Sequence, residues 1–210
     1  MTVNGAFETA SIFNNRGMRL VIATHNIHKV AEVRQVLNQR IELLTLDDIG
    51  FKGEIPESER TIEGNAIQKA YFVHNRYKIN CFADDTGLEI DALNGEPGVF
   101  SARYAGESCN FDNNMKKVLS AMQFIQNRSA RFRTVIALIL EGKLKTFEGV
   151  VTGEILNERK GEKGFGYDPI FQPSGLKQSF AEISLDEKNK ISHRAIAVRK
   201  LVSYLEGIAQ

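Results

Sequence analysis

The strongest constraint in this chain is a change of period. Residues 19–23 (RLVIA) form an apolar run of strand length. After a polar turn, Val30, Val33, Val36 and Leu37 return at helical spacing. Asn26 stands where a helix N-cap belongs. A strand, a tight turn and a helix therefore open the fold near Met18, and the alternation continues. Residues 41–46 read as a second strand, and 47–58 as a loop broken by Gly50, Gly53 and Pro56. Thr61 caps a helix predicted to run to about Tyr77, with Ala66, Ala70, Val73 and Tyr77 on its apolar face. A short strand is predicted over 79–83, ending in the turn Asp84-Asp85-Thr86-Gly87, and Asn94-Gly95 is a hairpin signal. A helix beginning near Asp112 points Met115, Val118, Leu119 and Met122 inward. Strands 131–140 and 144–151 join across residues 141–143 as an antiparallel pair. Ser184 and Glu187 have capping-box spacing, and a last helix carries Ala195, Val198, Leu201, Val202 and Leu205. Helices and strands alternating in this way give an α/β fold with a mixed, twisted sheet. Ligands of such sheets sit at the carboxyl ends of strands. Residues 24–29, 84–87 and 164–168 are expected there.

The charge balance narrows the partners. Lys and Arg total 27 against 26 Asp and Glu, for a net charge of +1, without the basic excess of a general nucleic-acid or membrane binder. The longest apolar run, 135–140, is far shorter than the ~18 residues of a membrane span. Residues 1–17 lack the charged and apolar regions of a secretory signal. Cys81 and Cys109 form neither a disulfide framework nor a metal-ligand spacing, so both read as free thiols in a reducing compartment. The expectation is a cytoplasmic protein with a flexible extension over 1–17, one domain over 18–210, and no nucleic-acid or membrane partner.

Four segments carry chemistry, each with two readings. Thr24, Asn26 and Lys29 at a helix start make either a phosphate cradle or an ordinary capped helix. It is not a Walker A loop, because the glycines are missing. Asp84 and Asp85 are costly to bury without a cation. They read as a Mg²⁺ or water-orienting site completed by Glu57 and Glu59, or as a polar turn. The aspartic-protease triplet in Asp85-Thr86-Gly87 is set aside, since those enzymes are all-β. Gly161, Gly164 and Gly166 permit close backbone approach. Phe165 and Tyr167 beside them either stack on a base or pack into the core. At the last helix, Arg194 offers a fork for phosphate or carbonyl oxygen, and His193 a donor, unless it is a surface or capping residue. Arg103 is a further cation.

Their order is more telling than any one of them. Thr24-x-Asn26-x-x-Lys29, Asn65-Ala66-x-x-Lys69, Asp84-Asp85-Thr86-Gly87-Leu88, Pro97-Gly98-Val99-Phe100-Ser101-Ala102-Arg103-Tyr104, Gly164-Phe165-Gly166-Tyr167-Asp168-Pro169 and Ser192-His193-Arg194 follow in one line. This closely resembles the inosine triphosphate pyrophosphatase family, the Ham1-like or RdgB-like enzymes, over about Met18 to Leu205. The resemblance implies an elongated α/β protein of two lobes around a cleft, usually a homodimer. It implies Mg²⁺-dependent hydrolysis of noncanonical purine triphosphates (ITP, dITP, XTP) to the monophosphate and pyrophosphate, which cleanses the nucleotide pool. Carried over by position, Thr24, His25, Asn26, Ile27, His28 and Lys29 bind phosphate, and Lys69 is a catalytic phosphate contact. Asp85 is the catalytic, metal-linked aspartate, with Thr86 a substrate contact and Glu57 the metal-binding glutamate. Phe165, Gly166, Tyr167, Asp168, Lys188, His193 and Arg194 form the base pocket. Two departures stand out: His25 replaces a glycine common in the family, and Gly64 a glutamate, with Glu63 one place early. Glu57, Glu59, Glu63 and Asp84 thus remain alternatives for completing the metal site. A Maf-like pyrophosphatase acting on other modified nucleotides and a non-catalytic nucleotide-binding module are the competing functions.

Overall fold

A computed structural model describes residues 13–14 and 17–208 of the chain. Seven strands form one mixed sheet. They are β1 (Phe13–Asn14), β2 (Gly17–Ile22), β3 (Ile41–Leu44), β4 (Cys81–Ile90), β5 (Ser129–Leu140), β6 (Lys143–Ile155) and β7 (Phe171–Pro173). Their order is β1-β2-β4-β5-β6-β7, with β3 on β2. The β2/β3 and β2/β4 pairs are parallel, and the rest are antiparallel. Most of the expected 1–17 extension lies outside the described residues. Within it, Phe13 and Asn14 pair with Met18 and Gly17.

The helices are α1 (Ile27–Val36), α2 (Ile62–Tyr77), α3 (Phe111–Ala121), α4 (Leu185–Ile191) and α5 (His193–Ile208). Their starts follow the expected capping chemistry. Asn26 accepts from the His28 and Lys29 N–H groups, Thr61 from Gly64, and Ser184 forms a capping box with Glu187. α1 and α5 cover one face of the sheet around Ile22, Phe82, Ile136 and Leu138. α2 covers the other, around Val21, Cys81, Ala83, Val135 and Ala137. A third cluster lies farther along β4 and β5, where Leu88, Ile90 and Phe132 meet Met115, Phe171 and Phe180. No described helix is long and apolar enough to cross a membrane.

One expected boundary is corrected. Residues 84–87 are not a turn. β4 runs unbroken from Cys81 to Ile90, paired with β5 throughout. β2 leaves this pairing at Ile22 opposite Phe82, so Asp84 and Asp85 lie just past the carboxyl end of β2 but inside β4. They occupy the waist between the apolar clusters. Strand alternation sends them to opposite faces: Asp84 follows Phe82 toward α1 and α5, and Asp85 follows Cys81 and Ala83 toward α2.

Candidate active site

A cleft of about 520 Å³ opens at this waist. At one end the turn between β2 and α1 presents Thr24, His25, Asn26 and Lys29. Thr24 Oγ1 accepts the Asn26 N–H at 3.1 Å, and Asn26 Oδ1 accepts from His28 at 3.0 Å and Lys29 at 3.3 Å. The cap leaves the positive end of α1 facing the cleft. His25 is tied to the loop before α2, with Nε2 2.8 Å from the Gly53 carbonyl and its ring stacked on Phe51. Ile27 does not reach the cleft, being 74% exposed. His28 meets it only through Phe165, on which it stacks at 5.1 Å.

The charged groups form two clusters, buried except for Glu57. On the α2 side, Lys69 Nζ is shared by Glu57 Oε1 at 2.6 Å and Asp85 Oδ1 at 2.9 Å. Asn65 donates to Asp85 Oδ2 at 3.5 Å and accepts the Glu59 N–H at 2.9 Å. Glu57 lines the cleft, whereas Glu59 and Glu63 are exposed and do not. On the other side, Asp84 accepts from Arg194 Nε at 3.0 Å and pairs with Lys29 Nζ at 3.2 Å. Asp84 Oδ1, although beside Lys29, is a buried oxygen with no hydrogen-bond partner among the described residues. Glu32 bridges Lys188, at 2.7 Å, and Arg194, while Asp168 holds Lys188 at 2.5 Å. Lys29, Lys69, Lys188 and Arg194 are therefore each paired, against the five carboxylates Glu32, Glu57, Asp84, Asp85 and Asp168.

These pairings set the protonation states. Burial pushes the Glu32 carboxyl up, but Arg194 and Lys188 outweigh it and bring it to about 2. Burial works against the Lys69 ammonium, yet Asp85 and Glu57 hold it protonated above its ordinary range. Burial raises the Asp85 carboxyl from its ordinary value, against the pull of Lys69. His193 is 3% exposed, stacked on Phe132 at 4.5 Å, and burial, reinforced by Arg194 and Lys188, holds its pKa well below 6.5. It is a neutral imidazole at pH 7, and its buried Nδ1 has no hydrogen-bond partner among the described residues.

At the cleft's other end Phe165 lies beneath two cations, 5.1 Å from Lys188 Nζ and 5.6 Å from Arg194 Cζ. Gly164, at φ +71°, lets Asp168 Oδ2 accept the Phe165 N–H at 2.9 Å; a Cβ there would meet that oxygen at 2.0 Å. Gly166 lines the cleft beside it. Tyr167 lines the cleft with little of its surface free. It is 5% exposed, and its hydroxyl donates to the Ser101 carbonyl at 2.8 Å. Thr86 accepts from Arg194 Nη2 at 3.1 Å.

The Ham1 family model matches residues 20–204. The chain belongs to the Ham1 family. A dITP/XTP pyrophosphatase from Flavobacterium johnsoniae is 53% identical over 188 residues, covering 90% of this chain and 98% of that protein. A dITP/XTP pyrophosphatase from Bacillus subtilis is 48% identical over 191 residues, covering 89% and 96%. The Staphylococcus aureus Ham1 protein superposes with a TM-score of 0.82 at 37% identity, covering 90% of this chain and 98% of that one. The mixed sheet described above is thus the Ham1 fold.

Sequence reasoning missed Glu32, and it named Asn65 only as part of the motif that carries Lys69, without a role at the site. Glu32 was legible in principle: Lys29, Glu32, Val33 and Val36 share one helical stripe, and α1 buries both Glu32 and Val33.

Proposed function

We propose that this cleft hydrolyses noncanonical purine nucleoside triphosphates (ITP, dITP and XTP) to the monophosphate and pyrophosphate. The observation that carries the reading is the pairing of two unlike ends in one cleft. Two carboxylates, Asp85 and Glu57, share one ammonium at the first. An aromatic ring and a neutral, unpartnered imidazole stand at the second. The Ham1 membership and the pyrophosphatase relatives support it.

The donor set fits Mg²⁺. Two carboxylates converge on one cation, and Mg²⁺ habitually takes one or two carboxylates and fills its sphere with water and phosphate. Among the described residues no group of three or more His, Cys, Asp or Glu is gathered for a metal, so a site closed by protein alone is not the arrangement. Asp85 and Glu57 would hold the ion, which when bound neutralises phosphate charge and polarises the α-phosphorus. The carboxylates that pair with the cleft's cations offset their charge, so a divalent ion arriving with the substrate adds the charge needed to balance a triphosphate.

Asp85 accepts a proton from the attacking water. The water oxygen bonds to the α-phosphorus, and the bond to the bridging oxygen of the β-phosphate breaks. Lys69 fixes both carboxylates, and Lys29 with the start of α1 receives the leaving pyrophosphate. Phe165 supports the base. Arg194 has five N–H donors, of which three are spent on Asp84, Glu32 and Thr86. The remaining two, with His193, face the base edge. A carbonyl at position 6 satisfies such donors, whereas the amine of adenine meets donor with donor. An unpaired buried polar group costs about 1–3 kcal/mol, so two such contacts give ~10²-fold discrimination. A single two-lobed domain over 18–210, a homodimer and a cytoplasmic setting complete the proposal.

Turnover of ITP in ¹⁸O-water tests the attack. Label in the monophosphate supports it; label in pyrophosphate moves the attack to the β-phosphorus and overturns the mechanism.

A further inference from the structure

Two residues that do not line the cleft lie beneath the groups that read the base. Gly149 of β6 is paired with Thr134 of β5. A Cβ added at Gly149 would stand 2.0 Å from the His193 carbonyl oxygen and 2.7 Å from the Ala197 nitrogen. Ordinary contact needs about 3.5 Å, so the first turn of α5 rests on bare backbone. That turn carries His193 and Arg194. Thr134, fully buried, has its Oγ1 2.7 Å from Thr86 Oγ1, the same oxygen that accepts Arg194 Nη2 at 3.1 Å. Gly149 therefore sets how closely the start of α5 approaches the sheet, and Thr134 fixes the hydroxyl against which the guanidinium lies.

We propose that Gly149 and Thr134 are positioning residues for base discrimination, acting through His193 and Arg194. The inference rests on the reading of the cleft given above and deepens it. Neither residue touches substrate. A missing side chain and a buried hydroxyl together hold the purine-reading pair at its working position.

The test compares wild type with Gly149→Ala, Thr134→Val and a control, Gly153→Ala. Gly153, also on β6, is as crowded, with a Cβ 2.3 Å from the Gln172 oxygen and 2.7 Å from Phe171 Cζ, but it faces β7 rather than α5. The readout is kcat/KM for ITP over kcat/KM for ATP, a ratio independent of how much protein is folded. A misplacement of ~1 Å costs up to ~10²-fold in rate. Gly149→Ala is expected to lower kcat/KM for ITP ~10- to 100-fold and the ratio at least ~10-fold. Thr134→Val keeps the shape and removes the hydroxyl, for an expected ~3- to 10-fold fall in the ratio. Gly153→Ala lowers Tm and leaves the ratio within about twofold. A ratio unmoved by both Gly149→Ala and Thr134→Val overturns the proposal, as does an equal fall in Gly153→Ala. If Gly149→Ala does not fold, Thr134→Val decides alone. The site reading is judged separately by wild type: absence of any ITP preference there overturns both, whereas a preference that the variants leave intact sinks only this inference.

Discussion

Replacing Glu32 by Gln removes the charge at the centre of the buried network. Glu32 is 3% exposed and accepts from Lys188 at 2.7 Å and from Arg194. Its folded-state value of about 2, against an ordinary 4.5, corresponds to about 3 kcal/mol of stability at neutral pH. Deleting one partner of a buried pair generally costs about 3–5 kcal/mol, so the two routes agree. The sign follows from a depressed carboxylate. The contribution is complete above the unfolded value of 4.5 and fades as pH falls toward about 2. At pH 3.5 somewhat under half of it is gone. Urea unfolding of wild type and Glu32→Gln, at pH 7 and pH 3.5, measures the difference at each pH. Asp168 shares Lys188 with Glu32 and feels its charge, so the change in the difference reports Glu32 together with that coupling. The gap is expected to shrink from about 3 to under about 2 kcal/mol. A gap below about 1 kcal/mol at pH 7, or one that does not change with pH, refutes the reasoning.

Three further outcomes are expected. Asp85→Asn lowers kcat for ITP by ~10²- to 10⁴-fold in protein that is still folded by circular dichroism; near-wild-type turnover removes Asp85 from the chemistry. His193→Ala narrows the preference for ITP over ATP, and an unchanged ratio places base reading in the backbone. A thiol reagent modifies a single cysteine in the folded protein. Cys109 is exposed, while burial pushes the Cys81 thiol up to about 12 and its Sγ donates to the Ala70 carbonyl. Two equally fast thiols, measured by absorbance, contradict the packing around Cys81.

Much of the fold was legible because local signals agreed with tertiary need. Asn26, Thr61 and Ser184 sit at helix starts where short-range chemistry alone places them. β4 was cut short because two aspartates in mid-strand are costly on any local account. What carries the strand through them is Lys29, Arg194 and Lys69, supplied from three helices. The same non-locality hid the role of Glu32, whose partners lie 156 and 162 positions along the chain. The motif order brought most of the candidate site together. Neighbours in sequence still diverge in space: at the start of α1, Ile27 turns outward while Lys29 turns in, and in the glycine loop Phe165 and Tyr167 both line the cleft, with the Tyr167 hydroxyl pinned to the Ser101 carbonyl. Gly149 and Thr134 carry no local signal, because their role exists only once α5 is docked.

The most direct test separates the products of ITP, dITP, XTP, GTP and ATP by ion-exchange chromatography, with Mg²⁺ and with a chelator. The account predicts monophosphate and pyrophosphate from ITP, dITP and XTP, ATP spared, and no turnover after chelation. Diphosphate and phosphate as products, or equal turnover of ATP, would contradict it.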